Sequence, residues 1–521
     1  MVAARRLTCR RVSHIAIELA VLVLLLGRPV GAQSIVFDAA ATPADAAVSG
    51  VDASDTGGRA NQALARESVP SASEKTSGAV PSERTAGETL RVSLGLIALI
   101  ALAILAGRPS VAEIERRSGL SMFASTGVPF LLIGMLARTR TVGVFSDEVL
   151  HTLQPVLEFG LGWIGFRVGT HFDVRELDRM PRGAALFVAT HSITAFLASG
   201  AVALGALALV GGFRGDTLVR DGLLLAASAA VSSPSGVRTL ESAGLLASGG
   251  AAIVRRMVQL DDAVPIVVLA LLTSVFRPID GGAWQLPPLA WLFVQIGLGT
   301  VLGGFCAAMV RGLRSEHEEI ALAMAGIAFA SGMAGYLGFS PLAVGCVAGI
   351  VHANVRGHPD DDAFSRRLGE MERPIFMVFF AIAGAMWSVR AWQGWVIVPL
   401  FLLARWIGKM LGTRVAYGAE NRRSDHPASS GPSDAASQPA TQSWIAAAGS
   451  PSPHVIGSAL LPASEVSIAV VVSAQQMYVG AIAPAITTIV IVGAVITDVL
   501  FQFRVVALRR AHDARTPSAS P

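Results

Sequence analysis

The stretch VRRMVQLDDAVPIVVLALL, residues 254–272, puts two adjacent acids, Asp261 and Asp262, inside what otherwise reads as a membrane-spanning helix. An ionised Asp at the centre of such a helix costs roughly 2.5–3.5 kcal/mol, so acids there usually face a protein-lined, watered site. The competing reading is a helix end, with both acids at the lipid–water interface. Arg255 and Arg256 lie about six residues upstream, which at 1.5 Å per residue places the acids roughly 9 Å deeper. The pair therefore reads as the working centre of an all-α, polytopic membrane protein.

Composition supports that class. Of 521 residues, 52% are hydrophobic and only 15% charged, too apolar for an ordinary water-soluble domain. The net charge of +4 is spread over short loops, which excludes a nucleic-acid interface. Cys9, Cys306 and Cys346 have no metal-ligand spacing and form no disulfide framework, so no cofactor is expected. Lysine occurs only at Lys75 and Lys409, and a lysine within an apolar span stands out in so arginine-biased a chain.

Residues 1–32 carry Arg5, Arg6, Arg10 and Arg11, a short apolar core and Val30-Gly31-Ala32, the pattern of a signal peptide cleaved after Ala32. An uncleaved anchor is the rival, disfavoured by the short core and by Glu18 within it. Residues 33–88 are Ala, Ser, Thr, Gly, Asp and Pro with almost no aromatics, and are expected to form a disordered external tail. From Leu90 onward thirteen spans are expected, near 90–107, 122–137, 152–171, 184–210, 219–243, 254–275, 286–310, 318–336, 339–354, 374–389, 393–416, 455–477 and 481–503. A Ser/Pro/Ala/Gly-rich insert at 418–454, expected to be disordered and cytoplasmic, divides the membrane domain into 89–417 and 455–504. Residues 505–521 follow as a short cytoplasmic tail.

With the N-terminus outside, loops expected inside include those with Arg175, Arg179 and Arg182, and with Arg356, Arg366, Arg367 and Arg373. Loops expected outside carry only Arg138, Arg140, Arg214, Arg220, Arg277 and Arg390, which satisfies the positive-inside rule with the C-terminus inside. The arginine bias fits a GC-rich bacterial genome, hence the cytoplasmic (inner) membrane.

Just before the acid pair, Ser232-Ser233-Pro234-Ser235-Gly236 interrupts an apolar run. Proline removes a donor and clashes with the carbonyl four residues back, so this helix is expected to break mid-membrane. The released carbonyls and the hydroxyls of Ser232, Ser233 and Ser235 would be hard-oxygen ligands for a small cation. An ordinary proline kink is the bland alternative. A second interrupted segment holds Leu461-Pro462-Ala463-Ser464-Glu465. Two broken helices in corresponding halves point to an inverted-repeat transporter, and the odd separation of seven spans gives them opposite directions. Lys409 sits directly before the second break with Arg405 one turn away. It either snorkels to the interface or pairs with one of the aspartates, and an unpaired core ammonium is costly.

The ordered set Ser232-Ser233-Pro234, Leu260-Asp261-Asp262, Gly408-Lys409-x-x-Gly412 and Leu461-Pro462-x-x-Glu465 resembles the cation:proton antiporter superfamily, the sodium/proton exchangers with a two-aspartate site. The stretch 157–169, ending in Phe166-x-x-Gly169, looks like that family's early helix, and 342–351 like its second-half counterpart. The resemblance covers about Leu90 to Arg504. It implies that Asp262 alternately binds cation and proton, that Asp261 pairs with Lys409, and that two broken helices cross beside them. It further implies a core moving against a dimerising scaffold, so a homodimer in membrane lipid, and electrogenic exchange of a monovalent cation, Na⁺ before K⁺ or Li⁺, for protons without a cofactor. Two departures stand out. Ser-Ser-Pro replaces the Thr-Asp-Pro of many relatives, and Ala263-Val264-Pro265 follows the acids in place of Val-Leu-Gly.

Adjacent helical residues diverge by about 100°, so Asp261 and Asp262 cannot both point at one ion. One can bind while the other meets Lys409, and the site titrates as a coupled unit. Rival functions are a K⁺/H⁺ antiporter, a transport-inactive sensor or interaction protein on the same fold, and an intramembrane aspartyl protease. The protease needs carboxylates from different helices sharing a proton, and a second mid-membrane aspartate would be its mark.

Overall fold

The computed structural model describes residues 127–139, 144–181, 183–277, 286–310, 316–356, 361–387, 389–425, 443–449, 451–478 and 484–514, with a few positions between 93 and 104. Their regular structure is entirely helical. From residue 127 the described helices are α1 (Val128–Ala137), α2 (Asp147–Thr152), α3 (Gln154–Thr170), α4 (Val174–Asp178), α5 (Ala184–Leu209) and α6 (Gly215–Ala230). It continues through α7 (Pro234–Ser242), α8 (Ser248–Asp261), α9 (Ala263–Val275), α10 (Pro288–Val310), α11 (Glu316–Tyr336) and α12 (Pro341–Arg356). The remainder is α13 (Asp361–Met386), α14 (Trp392–Asp425), α15 (Trp444–Ala447), α16 (Pro453–Ala459), α17 (Glu465–Met477) and α18 (Pro484–Asp513).

Six of these runs are long and apolar enough to cross a membrane, with shorter apolar helices beside them. The expected signal peptide, external tail and first span lie outside, or almost wholly outside, the described residues. Of the expected insert at 418–454, both ends are structured. Helix α14 runs on to Asp425, and Trp444 in α15 is buried against Phe187 and Tyr417. One large aromatic supplies the anchor that the surrounding Ser/Ala/Gly composition hides.

Helix faces are inverted relative to a water-soluble bundle. On α14, Arg405, Lys409 and Thr413 recur every four residues on one buried stripe, while Leu400, Leu403, Ile407, Leu411 and Val415 lie exposed opposite them. In lipid there is no hydrophobic drive between helices, so close packing by small residues does the work. Helices α3 and α12 pack in this way. A side chain on Gly165 or Gly169 would strike the carbonyls of Leu342 or Cys346, and one on Gly345 or Gly349 those of Gly162 or Phe166. The contacts advance together along both chains, so α3 and α12 run parallel. The stretch 342–351 therefore lies directly on 157–169 in the same direction, whereas an inverted counterpart would run the other way.

The helices gather in two groups. One joins α1, α3 and α10–α13; the other joins α5 with α14, α6 and α8, sets α18 against α14, and includes both interrupted segments. Replacing Gly165 by Leu is expected to abolish recovery of monodisperse protein in detergent. Gly297→Ala, with nothing within 4 Å of the new methyl, should melt at or slightly above the wild-type temperature, helix propensity favouring it by about 1 kcal/mol. Equal yield and melting for Gly165→Leu would show that the close approach is not needed.

Candidate functional site

The first break follows from its proline. Ser233 takes an extended backbone (φ −99°, ψ 137°) and Pro234 starts α7, since the residue before a proline is pushed out of the helical region. Pro234 has no N–H for the Ala230 carbonyl, and α6 ends with its last carbonyls unpaired within the helix. Two cations take them. Lys409 Nζ donates to Ala230 O at 2.7 Å, while Arg405 donates to Ser228 O (3.2 Å), Ala229 O (2.5 Å) and Val231 O (2.7 Å). Positive charge is favoured at a helix C-terminus.

The second break runs from Leu460 to Ser464, whose hydroxyl caps α17 by accepting from Val466 N. Arg405 reaches this segment as well, donating to Leu461 O at 3.2 Å and Pro462 O at 3.4 Å. The two breaks touch directly, Ser233 N donating to Pro462 O at 2.9 Å. Ser228 Oγ, which donates to Leu224 O at 2.9 Å, lies 3.4 Å from Ser467 O on one side of the crossing, and Gly236 abuts Ala459 and Pro462 on the other. One index rises as the other falls, so the interrupted segments cross antiparallel.

The two acids stand beside this crossing at a junction between α8 and α9, not within one uninterrupted helix. Pro265 has no N–H to offer the Asp261 carbonyl, which locates the irregularity at Asp262. Their side chains diverge. Asp261 Oδ1 accepts from Ser232 N at 3.1 Å and Oδ2 from Ser232 Oγ at 2.7 Å. Lys409 Nζ stands 3.8 Å from Asp261 Oδ2 and donates to Ser232 Oγ at 2.6 Å. Asp262 is 5% exposed; the Ser464 hydroxyl bonds its carboxylate, and its Oδ1 has no hydrogen-bond partner among the described residues. Asp261, Glu465 and Lys409 are its charged neighbours.

Ser232 thus contacts Asp261 and Lys409, while Ser233 turns away, its hydroxyl 2.8 Å from that of Ser235 and capping α7. Glu465 opens α17, partly buried. Arg405, expected as a supporting residue one turn from Lys409, ties together the carbonyls of both breaks. Sequence reasoning missed three further buried polar residues. His191 lies 3.5 Å from Lys409 Nζ and 3.2 Å from Thr413 Oγ1. It reaches them because Gly408 and Gly412 let α14 press on the α5 backbone around His191 and Ala195. A lone histidine in the 184–210 span was the available signal. Asp498 on α18 is a buried aspartate on another helix, as a protease would need, but it neighbours Arg405 and is not among the charged neighbours of Asp262. Arg220, assigned by sequence to an external loop, is buried in α6, paired with Asp221 at 2.9 Å and 4.8 Å from the Tyr478 ring centre.

Two interrupted helices crossing antiparallel, with acids and cations gathered at the crossing inside a lipid-facing helical assembly, define a secondary transporter of small ions. A family profile described as sodium/hydrogen exchanger, transmembrane, matches residues 95–507, and the chain belongs to that family of cation:proton antiporters. No match is found among curated protein sequences. Among solved structures, the sodium proton antiporter MjNhaP1 from Methanocaldococcus jannaschii at pH 8 is similar with TM-score 0.53 and 14% identity, over 79% of this chain and 95% of that one. An electron-microscopy structure of the same antiporter gives 0.50 and 14%, over 82% and 99%. At such identity the likeness concerns the fold.

Proposed function

We propose that the protein exchanges a monovalent cation, Na⁺ in the first instance, for protons at Asp262 by alternating access, with more protons than cations moved per cycle. The unpartnered Oδ1 of buried Asp262 carries this reading. A buried carboxylate oxygen needs a proton or a cation, and here the two would compete for one position. Asp261 is the second acid beside it and Ser232 bridges Asp261 to Lys409, the charge partner. Ser233, whose hydroxyl turns to Ser235, and the released carbonyls, held by Lys409 and Arg405, shape the crossing rather than bind the ion, and Pro234, Arg405 and Glu465 support the site. The solved relative is named a sodium proton antiporter, which favours Na⁺ over K⁺ or Li⁺.

The architecture proposed with it is thirteen spans in an inverted repeat, assembled as a homodimer in the bacterial cytoplasmic membrane. The signal peptide is removed after Ala32, the tail that follows lies outside and the C-terminus inside. Purified protein in liposomes under an imposed pH gradient should move protons when Na⁺ is added. K⁺ and Li⁺ added in turn identify the cation, and a transport-inactive protein would respond to none.

A further inference from the structure

Counting hydrogens around Lys409 gives one self-consistent set of bond directions in its cage. Thr413 Oγ1 donates its one hydrogen to the Lys409 carbonyl at 2.8 Å, because a carbonyl can only accept. The His191 nitrogen 3.2 Å from that hydroxyl, Nδ1, must then be the donor. The imidazole is therefore the Nδ1–H tautomer, and its Nε2 lone pair faces Lys409 Nζ at 3.5 Å. The ammonium's three hydrogens have three acceptors, His191 Nε2, Ala230 O and Ser232 Oγ. Ser232 Oγ accepts from lysine, so its own hydrogen goes to Asp261 Oδ2 at 2.7 Å. Lysine and aspartate lie 3.8 Å apart, beyond a direct hydrogen bond, while the hydroxyl between them bonds both.

We propose that Ser232 is a proton relay between Lys409 and Asp261, and that His191, held as one tautomer by Thr413, positions the lysine for it. In the step, a Lys409 Nζ–H bond breaks as a new O–H bond forms on Ser232. The original Ser232 hydrogen passes to Asp261 Oδ2. An ammonium–carboxylate pair becomes a neutral amine and a neutral acid, with the hydroxyl restored and no proton drawn from water. The Ser232 N–H on Oδ1 holds the carboxylate in line. The charged or titratable groups facing the relay are Arg405 and Lys409 on α14, His191 on α5, and the two aspartates at the α8–α9 junction.

The inference rests on the antiporter reading, and one set of proteoliposome measurements separates the two. Wild-type protein without cation-driven proton movement overturns that reading. Given an active wild type, Ser232→Ala should lower the maximum exchange rate by about tenfold or more across the pH range, the scale of a lost proton-transfer group, with little change in apparent KM for the cation. Ser232→Thr, which keeps the hydroxyl, should recover most of the rate. An unchanged rate, or a raised KM at an unchanged maximum rate, overturns the relay. Should Ser232→Ala not fold, Thr413→Val and Thr413→Ser decide. The valine variant frees the imidazole and should lower the rate and move the pH profile, the serine variant should restore both, and identical profiles overturn the proposal.

Discussion

Asp262→Asn is expected to abolish sodium-dependent proton movement in proteoliposomes, while the variant should elute and melt as the wild type does. The carboxamide is nearly the same size as the carboxylate, so packing is retained. It carries no charge and takes no proton near neutral pH, so the competition between cation and proton at this position disappears. The loss of a charge-assisted contact of roughly 3 kcal/mol corresponds to about a hundredfold weaker cation binding. Asp261→Asn leaves Asp262 in place and should retain residual cation-driven exchange, because Asp261 is already satisfied by Ser232. Wild-type exchange by Asp262→Asn would move the carrier elsewhere.

Arg405→Ala should cost about 3–5 kcal/mol of stability, the usual cost of breaking a buried charged network. The side chain is 3% exposed and bonds five backbone carbonyls drawn from both breaks. Without it, buried carbonyls at the ends of two half-helices lose their donor, and Asp498 loses a neighbouring cation. Arg405→Lys should recover part of the loss at most, since an ammonium lacks the planar fork that spans two chain segments. The fall in melting temperature in detergent reads this effect. Wild-type melting of Arg405→Ala would show that the carbonyls find other donors at no cost.

Much of the arrangement is written in local chemistry. Pro234 and Pro462 announce interruptions because a missing N–H acts on its own chain, and Asp261-Asp262 stands out because charge is costly in lipid. What sequence withholds is partnership across the fold. Nothing local in Ser233 says that its hydroxyl turns to Ser235 while that of Ser232 turns to Asp261. His191 reads as one histidine in an apolar helix until Gly408 and Gly412 bring α14 against it. Arg220 reads as a loop arginine because charge suggests water, although Asp221 and Tyr478 make burial tolerable. Trp444 anchors an otherwise featureless segment through contacts far away in the chain. The resemblance to sodium/proton exchangers supplied order among the motifs, and the direction of α12 on α3 came only from the packed glycines.

The five hydrogen bonds of Arg405 all fall on main-chain oxygens. Its five partners exist whatever side chains occupy those positions, so the architecture of the crossing is insulated from its ion chemistry. Ser232 and Ser233 can stand where relatives have threonine and aspartate without moving the crossing. Ion preference can therefore change by substitution at the breaks while the moving part stays the same, a separation of chemistry from mechanics within a single fold.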